Sequence, residues 1–206
     1  MLKIWGRTNS INVQKVMWTI GELGLEHEHT TVGGAHGGLD TPEYIAMNPN
    51  RRVPVLQDGD LAIWESNAIV RYLCARHSEG ALWASDPAER SLADRWMDWQ
   101  AASTIADMTT IFFGLIRLPE AERNMDAINA ATGRVNDQMG ILEAQLQVSK
   151  WVAGDAMTMG DLPVGALVYR WSELPIDRPD LPAVAAYYAR LSERPAYREH
   201  VMIPLS

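Results

Sequence analysis

Cysteine occurs once in the 206 residues, at Cys74, and that scarcity leaves no internal disulfide and no CxxC redox pair. Set between Leu73 and Ala75 in a helical pattern, the thiol is expected in the core rather than at a reactive surface. Positive charge is short as well: 18 Lys plus Arg against 26 Asp plus Glu give a formal net charge of −8. Nothing basic is clustered beyond pairs such as Arg51–Arg52, so the usual electrostatic source of affinity for nucleic acid or an anionic membrane surface is missing. No run approaches the roughly 20 apolar residues that span a bilayer, and MLKIWGRTNS has no apolar stretch long enough for a signal peptide. A cytoplasmic protein is expected. Low-complexity tracts and repeats of solenoid length are absent, which sets aside the disordered and repeat classes. His27 and His29 lie two apart with no cysteine or acidic residue at a ligand spacing, so no metal site is expected.

What is present is a chain with 47% hydrophobic residues, enough to bury the core of one large domain or two small ones. LKIWG reads as a strand followed by the polar loop RTNS. From Ile11 the apolar positions Ile11, Val16, Trp18, Ile20 and Leu23 change to a helical pattern that stops at Gly24, and EHEHTTV reads as a second strand. Strand, helix and strand in that order predict a βαβ unit with parallel strands. GGAHGGLDTPEYIAMNPN is a long glycine- and proline-marked loop with one helical turn expected over Pro42 to Met47, and its length points to a ligand-facing role. VPVLQDG and LAIW flank an Asp-Gly signal and predict an antiparallel hairpin, followed by a helix with Ala68, Ile69, Tyr72 and Leu73 as its apolar stripe.

From about Pro87 onward strand signals vanish. Leu92, Trp96, Trp99, Ala106 and Phe113 recur at helical steps, as do Ile128, Val135, Leu142 and Leu146, which predicts two long helices joined near RLPEAE. Three shorter helices are expected after them: one capped by Thr158 with Asp161 returning a bond, one beginning at Pro182 and one at Pro195. Pro163 is expected in the second turn of its helix, where it would remove an intrahelical bond. RHSEGALWASDP is the natural linker. The fold class is therefore α/β plus all-α, with an N-terminal βαβ-ββα domain over 1–77 and an all-helical domain over 87–206.

This order, with NPNRRVPVL, WESNAI close behind it, RTNSINVQKV and the Thr158 to Asp161 box in sequence, resembles the cytosolic glutathione transferases over essentially the whole chain. The nearest likeness is to bacterial serine-type or related hydroxyl/Asn-type members. The resemblance implies a thioredoxin-like first domain, glutathione as substrate, no metal, a hydrophobic electrophilic small molecule as second substrate, a role in detoxification, and a homodimer. Two alternatives stay open: a glutathione-dependent disulfide reductase or peroxidase, and a non-catalytic glutathione-binding protein on the same fold.

The resemblance also implies roles for residues. The Val53–Pro54 bond is expected to be cis, with the Val53 backbone pairing with the tripeptide as an added strand does; an ordinary edge-strand proline is the plain structural alternative. Ser66 and its backbone would hold the γ-glutamyl carboxylate and Glu65 the α-ammonium, although a serine and an acid at a helix start also serve as simple caps. Arg51 and Arg52 are candidates for the glycyl carboxylate, with His36 a weaker one. Ser10 aligns with the hydroxyl that contacts the glutathione sulfur, Asn12 follows two residues on, and Thr8 is a nearby alternative. The second substrate is expected between the domains near Met108, Phe112 and Phe113, residues that would equally suit a core.

Overall fold

Alternation in LKIW, with Leu2 and Ile4 buried and Lys3 exposed, builds the first strand, β1 (Leu2–Trp5). Helix α1 (Ile11–Leu23) follows and ends at Gly24, whose φ of 61° lets the chain reverse into β2 (His27–Thr30). The computed structural model describes residues 1–206. After a short helix α2 (Pro42–Met47), capped by Thr41 Oγ1 accepting from the Tyr44 N–H at 3.2 Å, come β3 (Val55–Asp58) and β4 (Leu61–Trp64). The four strands form one sheet in the order β2-β1-β3-β4. β1 and β2 run parallel and the other two pairings are antiparallel, so the βαβ-ββα expectation holds.

Helix α3 (Ser66–His77) completes this part. Leu2, Ile4 and Leu56 from the sheet pack with Val13, Val16, Ile20, Ile69 and Leu73, while Val32, Tyr44 and Val55 form a second cluster with Trp5 and Leu39 beside it. Two faces of one sheet are thus covered separately, as the period of two along a strand requires. On α3 the buried stripe is Ile69, Val70, Leu73 and Cys74, and Ala68 is exposed. The expected stripe was therefore turned by about one residue. Cys74 is fully buried, and burial pushes its thiol up to about 12.

The helical part starts at Asp86, whose carboxylate accepts from the Ala88 and Glu89 N–H groups and caps α4 (Pro87–Trp99). A π-helical turn over Gln100–Thr104 leads into α5 (Ile105–Phe112), and a second one covers Phe113–Arg117. Each π turn advances the helix face. The buried positions are accordingly Ala93, Trp96, Met97, Gln100, Thr104, Met108, Ile111 and Phe112, while Leu92, Ala106 and Phe113 of the expected stripe are exposed. α6 (Met125–Val148) buries Ile128, Val135, Leu142 and Leu146 as its spacing predicts.

α7 (Asp161–Glu173), α8 (Pro182–Ser192) and α9 (Pro195–His200) close the chain. Because α7 begins at Asp161, Pro163 is its third residue, in a first turn whose N–H groups have no intrahelical partner. The expected loss of a hydrogen bond does not occur. Thr158 Oγ1 donates to Asp161 Oδ2 at 3.2 Å instead of capping, whereas the returning bond from the Thr158 N–H to that carboxylate is made at 2.8 Å. α8 is capped from a distance: the buried Glu143 carboxylate accepts from the Ala183 and Val184 N–H groups.

The chain divides into two compact units, Met1–Trp83 with Pro195–Ile203, and Ala84–Arg194 with Pro204–Ser206. The last helix thus joins the first unit instead of extending the helical one to residue 206. Its reason is visible on α1: Tyr197 stacks edge-on against the buried Trp18 with ring centroids 4.7 Å apart. Gly21 gives the space, since a Cβ there would lie 2.9 Å from Ala196 Cβ. No helix is long and apolar enough to cross a membrane.

Candidate functional site

One end of the sheet is a single row of paired residues. Thr30 pairs with Trp5, Trp5 with Val55 and Val55 with Trp64. The segments that leave this row are the turn into α1, the loop after β2, the approach to β3 and the start of α3. These carry every candidate site residue in the first unit. The carboxyl ends of the parallel strands β1 and β2 lie here, where ligands of open α/β sheets commonly bind.

At the start of α1, Ser10 occupies the N-cap position with φ −85° and ψ 124°, yet its side chain makes no capping bond. The residue is buried, at 9% exposure, so a hydroxyl has been placed at a helix N-terminus without being used by the helix. No acidic side chain lies in the first turn. The N–H groups of that turn and the positive end of the helix dipole therefore remain available to an anion. Thr8, two residues earlier, is exposed.

The start of α3 repeats the arrangement. The helix begins at Ser66, with Glu65 in the N-cap position and no side-chain cap. Ser66, buried at 6% exposure, donates its hydroxyl hydrogen to Asn12 Oδ1 at 3.2 Å. That bond ties the N-termini of α1 and α3 together and accounts for Asn12, which the sequence placed at the site without a partner. Glu65 is exposed and has φ 69°. A non-glycine residue in this region costs on the order of 1–3 kcal/mol and persists where the surroundings demand it.

Between the two helix starts runs NPNRRVP. The Val53–Pro54 peptide bond is cis. Val53 precedes β3, so its N–H and C=O are not part of the sheet ladder. The loop is braced from behind: the Arg52 carbonyl accepts from Tyr44 Oη at 2.7 Å and from Asn48 Nδ2 at 2.8 Å. Asn48 Oδ1 in turn accepts from the Asn50 N–H at 3.0 Å. Gly6 allows Val53 close to the α1 turn, because a Cβ at Gly6 would meet Val53 Cβ at 3.3 Å and Val13 Cγ2 at 2.5 Å.

The family model for the glutathione S-transferase N-terminal domain matches residues 1–75, and that for the C-terminal domain matches residues 104–195. Glutathione S-transferase GstB of Escherichia coli (strain K12) is 39% identical over 100% of both chains. The chain belongs to the glutathione S-transferase family. Among solved structures, the theta class glutathione S-transferase from Xanthomonas axonopodis pv. citri with glutathione bound is 47% identical, with a TM-score of 0.96 and coverage of 100% of this chain and 99% of that one. Plant members are more distant: the probable glutathione S-transferase GSTF2 of Oryza sativa subsp. japonica is 29% identical over 78% of this chain and 76% of its own.

Within this family member the candidates fare unequally. Ser10, Asn12, Val53, Pro54, Glu65 and Ser66 gather at the row end. Arg51 instead has φ 53° and pairs through Nη1 with Asp40 Oδ1 at 2.9 Å, both side chains being largely exposed. Arg52 contributes its carbonyl to the brace, and its side chain is exposed. His36 is exposed in the turn Gly34–His36. Met108 and Phe112 are core residues of the helical unit, with 1% and 4% exposure. Of that trio only Phe113 is exposed. Sequence reasoning passed over Tyr44 and Asn48. The Asn-Pro-Asn string, a turn former, was the signal for the second.

His29 Nε2 meets the Gly6 carbonyl at 2.7 Å and so holds β2 to the α1 turn. No group of three or more histidine, cysteine, aspartate or glutamate side chains stands close enough together to hold a metal ion.

Proposed function

We propose that the chain transfers the sulfur of glutathione to an electrophilic small molecule, with Ser10 donating a hydrogen bond to the thiolate. The observation that carries this is the buried Ser10 hydroxyl at the α1 N-terminus, which caps nothing. In the reaction the thiol proton leaves to solvent, the thiolate attacks the electrophilic carbon, and the new C–S bond displaces a leaving group with its electron pair. Ser10 stays covalently unchanged.

The magnitudes suffice. A thiol with pKa about 8.5 is only ~3% ionised at pH 7; lowering it by ~2 units gives roughly 75% and requires about 2.7 kcal/mol. A hydrogen bond to a charged group supplies ~1.5–3 kcal/mol and a helix N-terminus ~0.3–1 more. Ser66, the α3 N-terminus and Glu65 are suited to the γ-glutamyl end, and the Val53 backbone to the middle of the peptide. A role for the protein's own thiol is disfavoured, since Cys74 is buried and its pKa is raised.

The assembly we propose is a homodimer. Leu61 and Trp64 on the edge strand β4 are 47% and 40% exposed, and apolar residues on a sheet edge favour being covered. Analytical ultracentrifugation at micromolar concentration should give twice the chain mass; a monomer would refute the dimer alone. For the activity, the purified chain should turn over at least one aryl halide or related electrophile with glutathione. Turnover restricted to disulfides or peroxides would make it a reductase. Retention on immobilised glutathione with no turnover of any of these would make it a binding protein.

A further inference from the structure

The sheet order gives the site a direction. Ser66 follows β4 at one edge, Gly33 and Gly34 follow β2 at the other, and Val53 enters β3 between them. Three strand spacings separate the edges, about 14 Å, and an extended tripeptide covers about 10 Å before its terminal groups are counted. A tripeptide with its γ-glutamyl end at Ser66 and its middle at Val53 therefore brings its last residue toward Gly33 and Gly34. Arg7 stands there. A Cβ at Gly34 would lie 3.2 Å from Arg7 Cδ and 3.3 Å from Nε. At Gly33 it would lie 3.7 Å from Arg7 Nη1 and 3.2 Å from Val53 Cγ1. Both glycines have positive φ, 89° and 59°. The loop is thus bare of side chains where the Arg7 stem runs along it, and Arg7 Nη1 and Val53 Cγ1 both come close to the bare Cα of Gly33.

We propose that Arg7 binds the glycyl carboxylate of glutathione, a task for which the family resemblance offered Arg51 and Arg52 only as candidates. The proposal rests on the glutathione reading above. Arg51 pairs with Asp40 in the open, whereas Arg7 belongs to the same turn as Ser10, whose N–H bonds the Arg7 carbonyl at 3.2 Å. A guanidinium offers five donors in a planar fork, so it accommodates a carboxylate through two of them while others serve the fold.

The test is a ligand-by-variant cycle using calorimetric Kd values. Glutathione and its glycyl monoethyl ester, which lacks that carboxylate, are each titrated into the wild-type protein, Arg7→Leu and Arg7→Lys, with circular dichroism to check folding. Wild type should bind glutathione about tenfold more tightly than the ester, the scale of one charge-assisted bond partly exposed to water. Arg7→Leu should raise the glutathione Kd about tenfold, leave the ester Kd within about twofold, and abolish the preference. Arg7→Lys should fall between. Equal weakening of both ligands would make Arg7 structural and overturn the proposal. A preference that survives in Arg7→Leu would return the carboxylate to Arg52 or Arg51. If Arg7→Leu does not fold, equal wild-type affinity for the two ligands, or an Arg7→Lys preference identical to wild type, overturns the proposal equally. Wild type that binds neither ligand would refute the glutathione reading itself, a different outcome from any of these.

Discussion

Replacing Asp161 with Ala should destabilise the protein by an amount that grows as the pH is lowered. The carboxylate is fully buried in the helical unit. It accepts from the Thr158 N–H at 2.8 Å, Tyr187 Oη at 2.9 Å, the Val152 N–H at 3.1 Å and Thr158 Oγ1 at 3.2 Å. Burial nevertheless outweighs these donors and pushes its carboxyl up to about 6 from 3.8. A group whose folded pKa is raised contributes stability that is fully present below its unfolded pKa and lost as the pH rises through the folded one. Two units correspond to on the order of 3 kcal/mol. At pH 7.5 the loss in Asp161→Ala should be about 1–2 kcal/mol, the scale of a helix cap. At pH 4 it should be larger by on the order of 3 kcal/mol. Urea unfolding of wild type and Asp161→Ala across this range gives the difference directly, with all other carboxylates cancelling. A gap that does not change with pH, or that widens toward pH 7.5, would refute the argument.

Three further outcomes follow from particular residues. Glu65→Gly should leave stability unchanged or raise it by up to ~1 kcal/mol in thermal unfolding, because glycine takes φ 69° without strain, while glutathione binding weakens several-fold. A loss of stability with affinity intact would contradict the role of Glu65. Asn12→Ala frees the Ser66 hydroxyl and should raise the Kd for glutathione about three- to tenfold by calorimetry, the scale of a ~1 kcal/mol bond; an unchanged Kd would make the link incidental. His200 is held below its ordinary value first by burial, then by His27 and His29, against Glu199. Its neutral form is favoured in the fold, so stability is lost as the pH falls below about 6.5. His200→Gln should flatten the decline in urea-midpoint between pH 7 and 5, and an identical slope would refute it.

What the sequence made legible was whatever rests on local pattern. Alternation in LKIW, the Gly24 stop and the two-residue turn between Asp58 and Leu61 each translated into the element they predict. The heptad-like spacing of Ile128, Val135 and Leu142 did the same for α6. Local pattern failed where the helix itself changed pitch: the π turn over Gln100–Thr104 shifts the buried face, and a count by threes and fours carried on from Trp96 and Trp99 then selects Ala106 and Phe113, which are exposed. It failed again for α9, whose place on α1 depends on the Trp18–Tyr197 pair and the bare surface of Gly21.

The candidate site divides in the same way. Ser10, Val53, Pro54 and Ser66 sit in short strings whose order is informative, and all lie at one end of the sheet. Arg7, Tyr44 and Asn48 act through residues distant in the chain, Arg7 along Gly34 and the other two on the Arg52 carbonyl. Only Asn48 has a local signal, the turn-forming Asn-Pro-Asn string; nothing in the neighbourhoods of Arg7 and Tyr44 announces their contacts. Pro163 was misplaced because the helix starts two residues later than a cap at Thr158 implies, and a helix start is the least legible feature of any helix.

The central claim is that Ser10 stabilises the thiolate of bound glutathione. Thiolate absorbance of the protein–glutathione complex, followed against pH for wild type, Ser10→Ala, Thr8→Ala and Asn12→Ala, tests it most directly. Ser10→Ala should raise the thiol pKa by about 1–2 units, because ~1.5–3 kcal/mol of charge-assisted bonding is lost at ~1.4 kcal/mol per unit. Affinity should change little, and the rate below the thiol pKa should fall roughly tenfold with the lost thiolate fraction. A titration unchanged in Ser10→Ala but shifted in Thr8→Ala or Asn12→Ala would move the role to that residue, and no shift in any would leave the α1 N-terminus alone as the activator.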